Sequence, residues 1–185
     1  MERSFYERDV VTVARELIGR LLVHDSPEGR TSGVITETEA YSGINDPACH
    51  AYPYKRTKRT EVLFGPGGHA FVYLIYGMYH CMNVSANIPG QPEGVLIRSL
   101  EPVEGIELMK KRDGGKPDSK LCLGPGRLCR AMGIGMSHYG YDLCGDTLFI
   151  EAGTDEKCYG EIKTSPRINI DYAGYAKDWP WRFYI

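Results

Sequence analysis

HAFVYLIYGMYHCMNVSA (69–86) is rich in aromatic and aliphatic residues on both sides of Gly77. The runs 69–76 and 78–86 have the character of strands, and one intervening glycine makes a β-hairpin the simplest structure for them. Strand alternation sends His69, Phe71, Tyr73 and Ile75 to one face and Ala70, Val72, Leu74 and Tyr76 to the other. Tyr76 then falls at the tip, where a large aromatic has no core to enter. It either packs on a hairpin neighbour or serves as a wedge against a partner surface such as a base stack.

The segments on either side extend a sheet. Residues 34–41 are rich in Val, Ile and Thr and predict a strand, as do 21–24, 94–100, 148–151, 168–170 and 181–185. Residues 27–33 predict a turn. Asp9 suits a helix N-cap, because Val10, Val13, Ala14, Leu17 and Ile18 follow at helical spacing and Gly19 suits the end. Pro102 suits the start of a helix over 103–112, and Pro125–Met132 predicts another, closed by Gly133. Residues 42–68 and 113–120 are expected to be loops, and a loop as long as the first is usually functional. The expected fold class is α+β, a single domain over 1–185 with a curved, largely antiparallel sheet, flanking helices and a protruding hairpin.

Composition sets limits. At 185 residues the chain has the length of one domain, and 42% hydrophobic with 25% charged residues is an ordinary globular balance. No apolar run approaches the roughly 18 residues of a membrane span, and Met1–Tyr6 has no signal-peptide core, so a soluble, intracellular protein is expected. The 6 cysteines form no Cys-x-x-Cys pair and no zinc-spaced cluster, which predicts free thiols in a reduced compartment. A net charge of −2 weighs mildly against nucleic-acid binding.

Candidate chemistry sits in three places. Ile35, Glu37, Glu39 and Tyr41 share one strand face by alternation, opposite Val34, Thr36, Thr38 and Ala40. Two carboxylates beside an aromatic are either solvated acids on an exposed face or a catalytic carboxylate in a cleft. Lys55, Arg56, Lys58 and Arg59, just after Tyr52 and Tyr54, are either a solvated charge run or a phosphate-backbone contact, and Lys110, Lys111 and Arg112 form a second cluster. His50 lies in the long loop. Gly124-Pro-Gly-Arg127 fits no phosphate-binding fingerprint and is expected simply to start a helix.

These segments resemble the alkyladenine (3-methyladenine) DNA glycosylase family. TETEAYSGINDPACH (36–50), FVYLIYGMYHCMNVS (71–85), GVLIRSLEPVEG (94–105), LCLGPGRLCRAMGI (121–134) and DWPWRFYI (178–185) carry the resemblance in order and spacing, over essentially the whole chain. The resemblance implies an enzyme that flips a damaged purine out of duplex DNA and hydrolyses its N-glycosidic bond. Such a reaction passes through an oxocarbenium-like sugar and needs a carboxylate-activated water. Glu39 then matches the general base, with Glu37 in support and Arg98 near the water and the nucleotide's phosphate. Tyr41, His50 and Tyr73 match the walls that sandwich the base, and the His50 backbone N–H matches the donor to the purine 6-position. Asn83 matches the residue that disfavours guanine's 2-amino group, and Tyr76 matches the intercalating residue. Thr60 and Phe71 depart from the expected Asn and Tyr.

The resemblance further implies a monofunctional enzyme that acts on duplex DNA and leaves an abasic site. No metal-ligand set is evident and the chemistry needs no cofactor; a monomer is the default expectation, and no membrane association is expected. The compartment would be the cytoplasm and nucleoid in a prokaryote or the nucleus in a eukaryote. 3-Methyladenine, 7-methylguanine, hypoxanthine and ethenoadenine are the candidate bases. A non-catalytic nucleic-acid module and a carboxylate enzyme acting on free nucleosides are the competing classes.

Overall fold

A computed structural model describes residues 1–115, 120–153 and 160–185. The helices are α1 (Arg3–Tyr6), α2 (Val10–Glu16), α3 (Ile106–Asp113) and α4 (Pro125–Met132). The strands are β1 (Leu21–Ser26), β2 (Gly29–Ser42), β3 (Ala70–Ile75), β4 (Tyr79–Ala86), β5 (Glu93–Glu104), β6 (Leu148–Glu151), β7 (Lys163–Ser165) and β8 (Arg182–Tyr184). They form one curled antiparallel sheet in the order β3-β4-β5-β2-β1-β6, with β8 also on β2 and β7 on β8. The expected α+β class holds. Among the described residues no helix is long and apolar enough to cross a membrane.

Alternation along β3, β4 and β5 divides the apolar side chains between two clusters. Val72, Met82, Val84, Val95 and Ile97 pack with α2 and α4 in the main core, and Phe71, Tyr73, Cys81 and Leu96 form a second cluster with Leu63 and Phe64 on the opposite face. The hairpin is as predicted and the alternation holds along β3, but it fails at Tyr76, which reaches the same cavity as Tyr73 and Ile75. The Asp9 carboxylate caps α2 by accepting the Thr12 N–H at 3.0 Å, and α4 starts at Pro125 and closes on left-handed Gly133.

Four expectations need correction. Ile35 does not share a face with Glu37, Glu39 and Tyr41: a register shift between Ile35 and Glu37 opposite Leu100 and Ser99 leaves Thr36 as an extra residue. This bulge reverses the parity, so that Ile35 and Ala40 both enter the main core while Glu37 and Glu39 turn to the other side. Residues 29–33 are not turn but the first part of β2, since the hairpin between Ser26 and Gly29 is tight. Pro102 is not at a helix start; it lies in β5 opposite Gly33 at a second register shift, a position where a missing N–H is tolerated. Finally, 168–170 is not a strand, and the nearby strand is β7. The loop expected over 113–120 lies partly, and Cys158 wholly, outside the described residues.

Candidate active site

A cavity of about 530 Å³ opens over the second cluster. Tyr41, His50, Tyr73, Tyr76, Asn83 and Arg98 all line it, so the fold brings together residues spread from β2 to β5. Glu39 sits behind this lining and is fully buried.

The Glu39 carboxylate is held from three directions. Its Oε2 accepts from the Tyr41 hydroxyl at 2.7 Å and from Arg98 at 3.2 Å, and its Oε1 accepts the Ile168 backbone N–H at 2.8 Å. A carboxylate offers about four acceptor directions, so one remains. Burial first, and then the Glu39 charge, push the Tyr41 phenol well above its ordinary pKa, which keeps it a donor to that carboxylate.

Glu37 is the second anchor of Arg98. Its Oε1 accepts from Arg98 at 2.8 Å and from Arg182 of β8 at 2.6 Å, and its Oε2 from Ser99 at 3.0 Å. Burial alone would raise this carboxyl, but the Arg182 hydrogen bond and the Arg98 charge outweigh it and hold its pKa down. Glu37 is therefore an ionised bracket for Arg98 rather than a solvated surface acid.

The aromatic wall is compact. His50 meets Tyr73 edge to face at 4.5 Å between centroids and Phe71 at 5.8 Å. Phe71, one of the two departures, contributes a buried ring that supports both. The crowding around the imidazole, with the Arg59 charge, lowers the His50 pKa to about 4, so the ring is neutral near pH 7. The His50 backbone N–H has no acceptor among the described residues. The Asn83 side-chain oxygen is buried and has no hydrogen-bond partner among the described residues. Thr60, the other departure, is buried and closes its loop by accepting the Thr57 N–H at 2.9 Å and donating to the Lys55 carbonyl at 2.8 Å.

Tyr76 is 79% exposed at the hairpin tip. Its φ of 52° and the 70° of Gly77 give the turn the positive-φ pair of a type I′ hairpin. This left-handed backbone explains how Tyr76 leaves the alternation of β3 and reaches the cavity rim.

The two basic clusters part company. Arg112 binds Glu28 and the Ala131 carbonyl, a structural role, and Arg56 binds Glu61. Arg59 is turned into the cavity lining.

Sequence reading missed Arg167. Its side chain is fully buried, ion-paired with Asp46 at 2.8 Å, bonded to the Ala40 carbonyl at 2.8 Å and stacked 4.6 Å from the Tyr41 centroid. Its partner lies 121 residues away, so no local spacing signals the pair. Among the described residues no group of three His, Cys, Asp or Glu side chains could hold a metal ion.

The family model for methylpurine-DNA glycosylase (MPG) matches residues 4–185. A protein of Clostridium acetobutylicum named "Putative 3-methyladenine DNA glycosylase" is 53% identical over 191 residues, covering 99% of this chain and 92% of that one. Proteins of the same name from Bacillus cereus and Bacillus anthracis are each 52% identical over 190 residues, covering 98% of this chain and 93% of theirs. With nearly its whole length matched and its predicted pocket residues gathered around one cavity, the chain belongs to the methylpurine-DNA glycosylase family.

Proposed function

We propose that this chain flips alkylated or deaminated purines out of duplex DNA and hydrolyses their N-glycosidic bond with a water activated by Glu39, leaving an abasic site. Membership of the family makes it a DNA-3-methyladenine glycosylase, a hydrolase of DNA repair whose substrate is damaged DNA. The observation that carries the mechanism is a buried, multiply held carboxylate directly behind an aromatic slot that opens beside an exposed tyrosine.

The purine enters between Tyr41 and the His50–Tyr73 wall. The unused His50 N–H suits an acceptor at the purine 6-position, and Asn83 occupies space that a 2-amino group would need. Water enters the remaining acceptor direction of Glu39, gives its proton to that carboxylate and bonds to C1′ as the glycosidic electron pair leaves with the base. Arg98, fixed by Glu37 and Glu39, presents its cation to the phosphate side of the nucleotide. No lysine lines the cavity among the described residues, in keeping with water rather than an amine as nucleophile.

Incubation with methylated duplex and with inosine-containing duplex, followed by chromatography of free bases, tests this reading. Release of 3-methyladenine or hypoxanthine with an intact, uncut sugar–phosphate strand is expected. DNA binding without release of either base would favour a non-catalytic module.

Tyr76 supplies a second test. Flipping leaves a gap in the duplex, and an inserted ring recovers roughly 1–3 kcal/mol by stacking. Tyr76→Gly removes that ring and also relieves about 1 kcal/mol of left-handed backbone strain. The melting temperature is therefore expected to hold or rise while base release from duplex DNA falls about tenfold or more. Unchanged release on duplex would instead point to a free nucleoside as substrate.

A further inference from the structure

Among the described residues three arginines line the cavity, Arg59, Arg98 and Arg127, and no aspartate or glutamate does. Arg98 is balanced by Glu37 and Glu39, and Arg127 by Asp113. Arg59 has no acidic partner among the described residues. Its guanidinium carbon lies instead 5.0 Å from the Tyr73 centroid, on one of the rings that form the base slot. The turn carrying it is fixed, with the Thr60 N–H on the Thr57 carbonyl at 3.0 Å and Thr60 buried beneath it. The same charge reaches His50, on the other ring of that wall.

We propose that Arg59 sets the charge preference of the base slot, favouring neutral lesions such as hypoxanthine over purines that carry a fixed positive charge such as 7-methylguanine. This rests on the glycosylase reading above. A purine in the slot stands beside this cation at the solvent-exposed edge of the cavity, where water weakens the field but a charge at such short range still acts on it.

The two lesion classes meet that cation differently. An N7- or N3-alkylated purine enters with a charge of +1 and leaves neutral, so Arg59 opposes its entry. Hypoxanthine enters neutral and departs with the glycosidic electron pair as an anion, later protonated by solvent, so Arg59 favours its departure. In both cases the base becomes more negative by one unit as the bond breaks. Arg59 therefore speeds the bond-breaking step for both classes alike. The discrimination lies in admission to the slot.

That split dictates the measurement. Single-turnover excision is followed against enzyme concentration on matched duplexes containing 7-methylguanine or hypoxanthine, for the wild type, Arg59→Met, Arg59→Gln and Arg59→Lys. In the Met and Gln variants the maximal rate is expected to fall by a similar factor on both substrates. The ratio of maximal rate over half-saturating concentration, cationic to neutral, is expected to rise about tenfold, the order expected from removing one charge near ~5 Å in a medium of high effective dielectric. Arg59→Lys keeps the charge and keeps the wild-type ratio. An unchanged ratio in the Met and Gln variants, with both efficiencies falling together and the salt slope shrinking by about one, assigns Arg59 to a phosphate contact and overturns the proposal. Excision of neither base by the wild type overturns the glycosylase reading itself, a result separable from the first.

Discussion

Glu39→Gln is expected to lower single-turnover base release by roughly 10²–10⁴-fold, the range that a positioned general base contributes, while duplex affinity stays within a few-fold of wild type. The wild-type carboxylate accepts on both oxygens, from Tyr41 and Arg98 on one and from the Ile168 N–H on the other. A glutamine amide can face only one of these sides as an acceptor. With its oxygen toward Tyr41 and Arg98, its NH2 opposes the Ile168 N–H, and about 1–3 kcal/mol of stability is lost. Arg98 keeps Glu37, so its charge remains held. Release rates on methylated and inosine duplexes, read beside a binding titration, decide the matter. Excision within tenfold of wild type would remove Glu39 from the chemistry, and loss of binding in step with loss of release would make it a structural carboxylate.

The largest effect on stability is expected at Arg167. Replacing it by methionine leaves Asp46 as a buried, uncompensated charge, which costs about 3–5 kcal/mol. Both side chains of the pair are fully buried, and Arg167 also holds the Ala40 carbonyl of β2. Pairing Arg167→Met with Asp46→Ala should recover part of the loss, because much of the pair's attraction offsets the desolvation of its two charges. Asp46 also accepts the Ala48 N–H at 3.0 Å, so recovery will be incomplete. Urea unfolding of the single and double variants gives the coupling directly, and a single-variant loss below about 1 kcal/mol would show that water reaches the site.

Local physics made much of the scaffold legible in sequence. The Asp9 cap, the Pro125 start of α4 and the hairpin around Gly77 depend on neighbours within a few residues, and each was found as expected. What escaped depends on distant partners. No residue type near Thr36 announces the bulge; it exists because β2 must pair with β5 along its length while also taking β1 and then β8 on its other edge. Pro102 reads as a helix start until β5 is seen to run past it. The Ile-Asn-Ile segment 168–170 has the look of a short strand, yet it brings the Ile168 N–H to Glu39. Of the basic cluster at 55–59, spacing disclosed the charge and not that Arg59 lies over Tyr73 at the cavity.

The donors that grip the central carboxylates come from widely separated parts of the chain. Glu37 and Glu39 lie on β2, whereas the Ile168 N–H and the Arg182 guanidinium arrive more than a hundred residues later. During synthesis the sheet around β2 to β5 can collapse early, with its aromatic slot in place but its two acids only half restrained. Such a nascent chain could meet DNA before it could cut a glycosidic bond. Docking of β8 beside Glu37–Glu39 is then the step that arms the protein, so hydrogen-exchange protection at Ile168 should emerge together with excision during refolding.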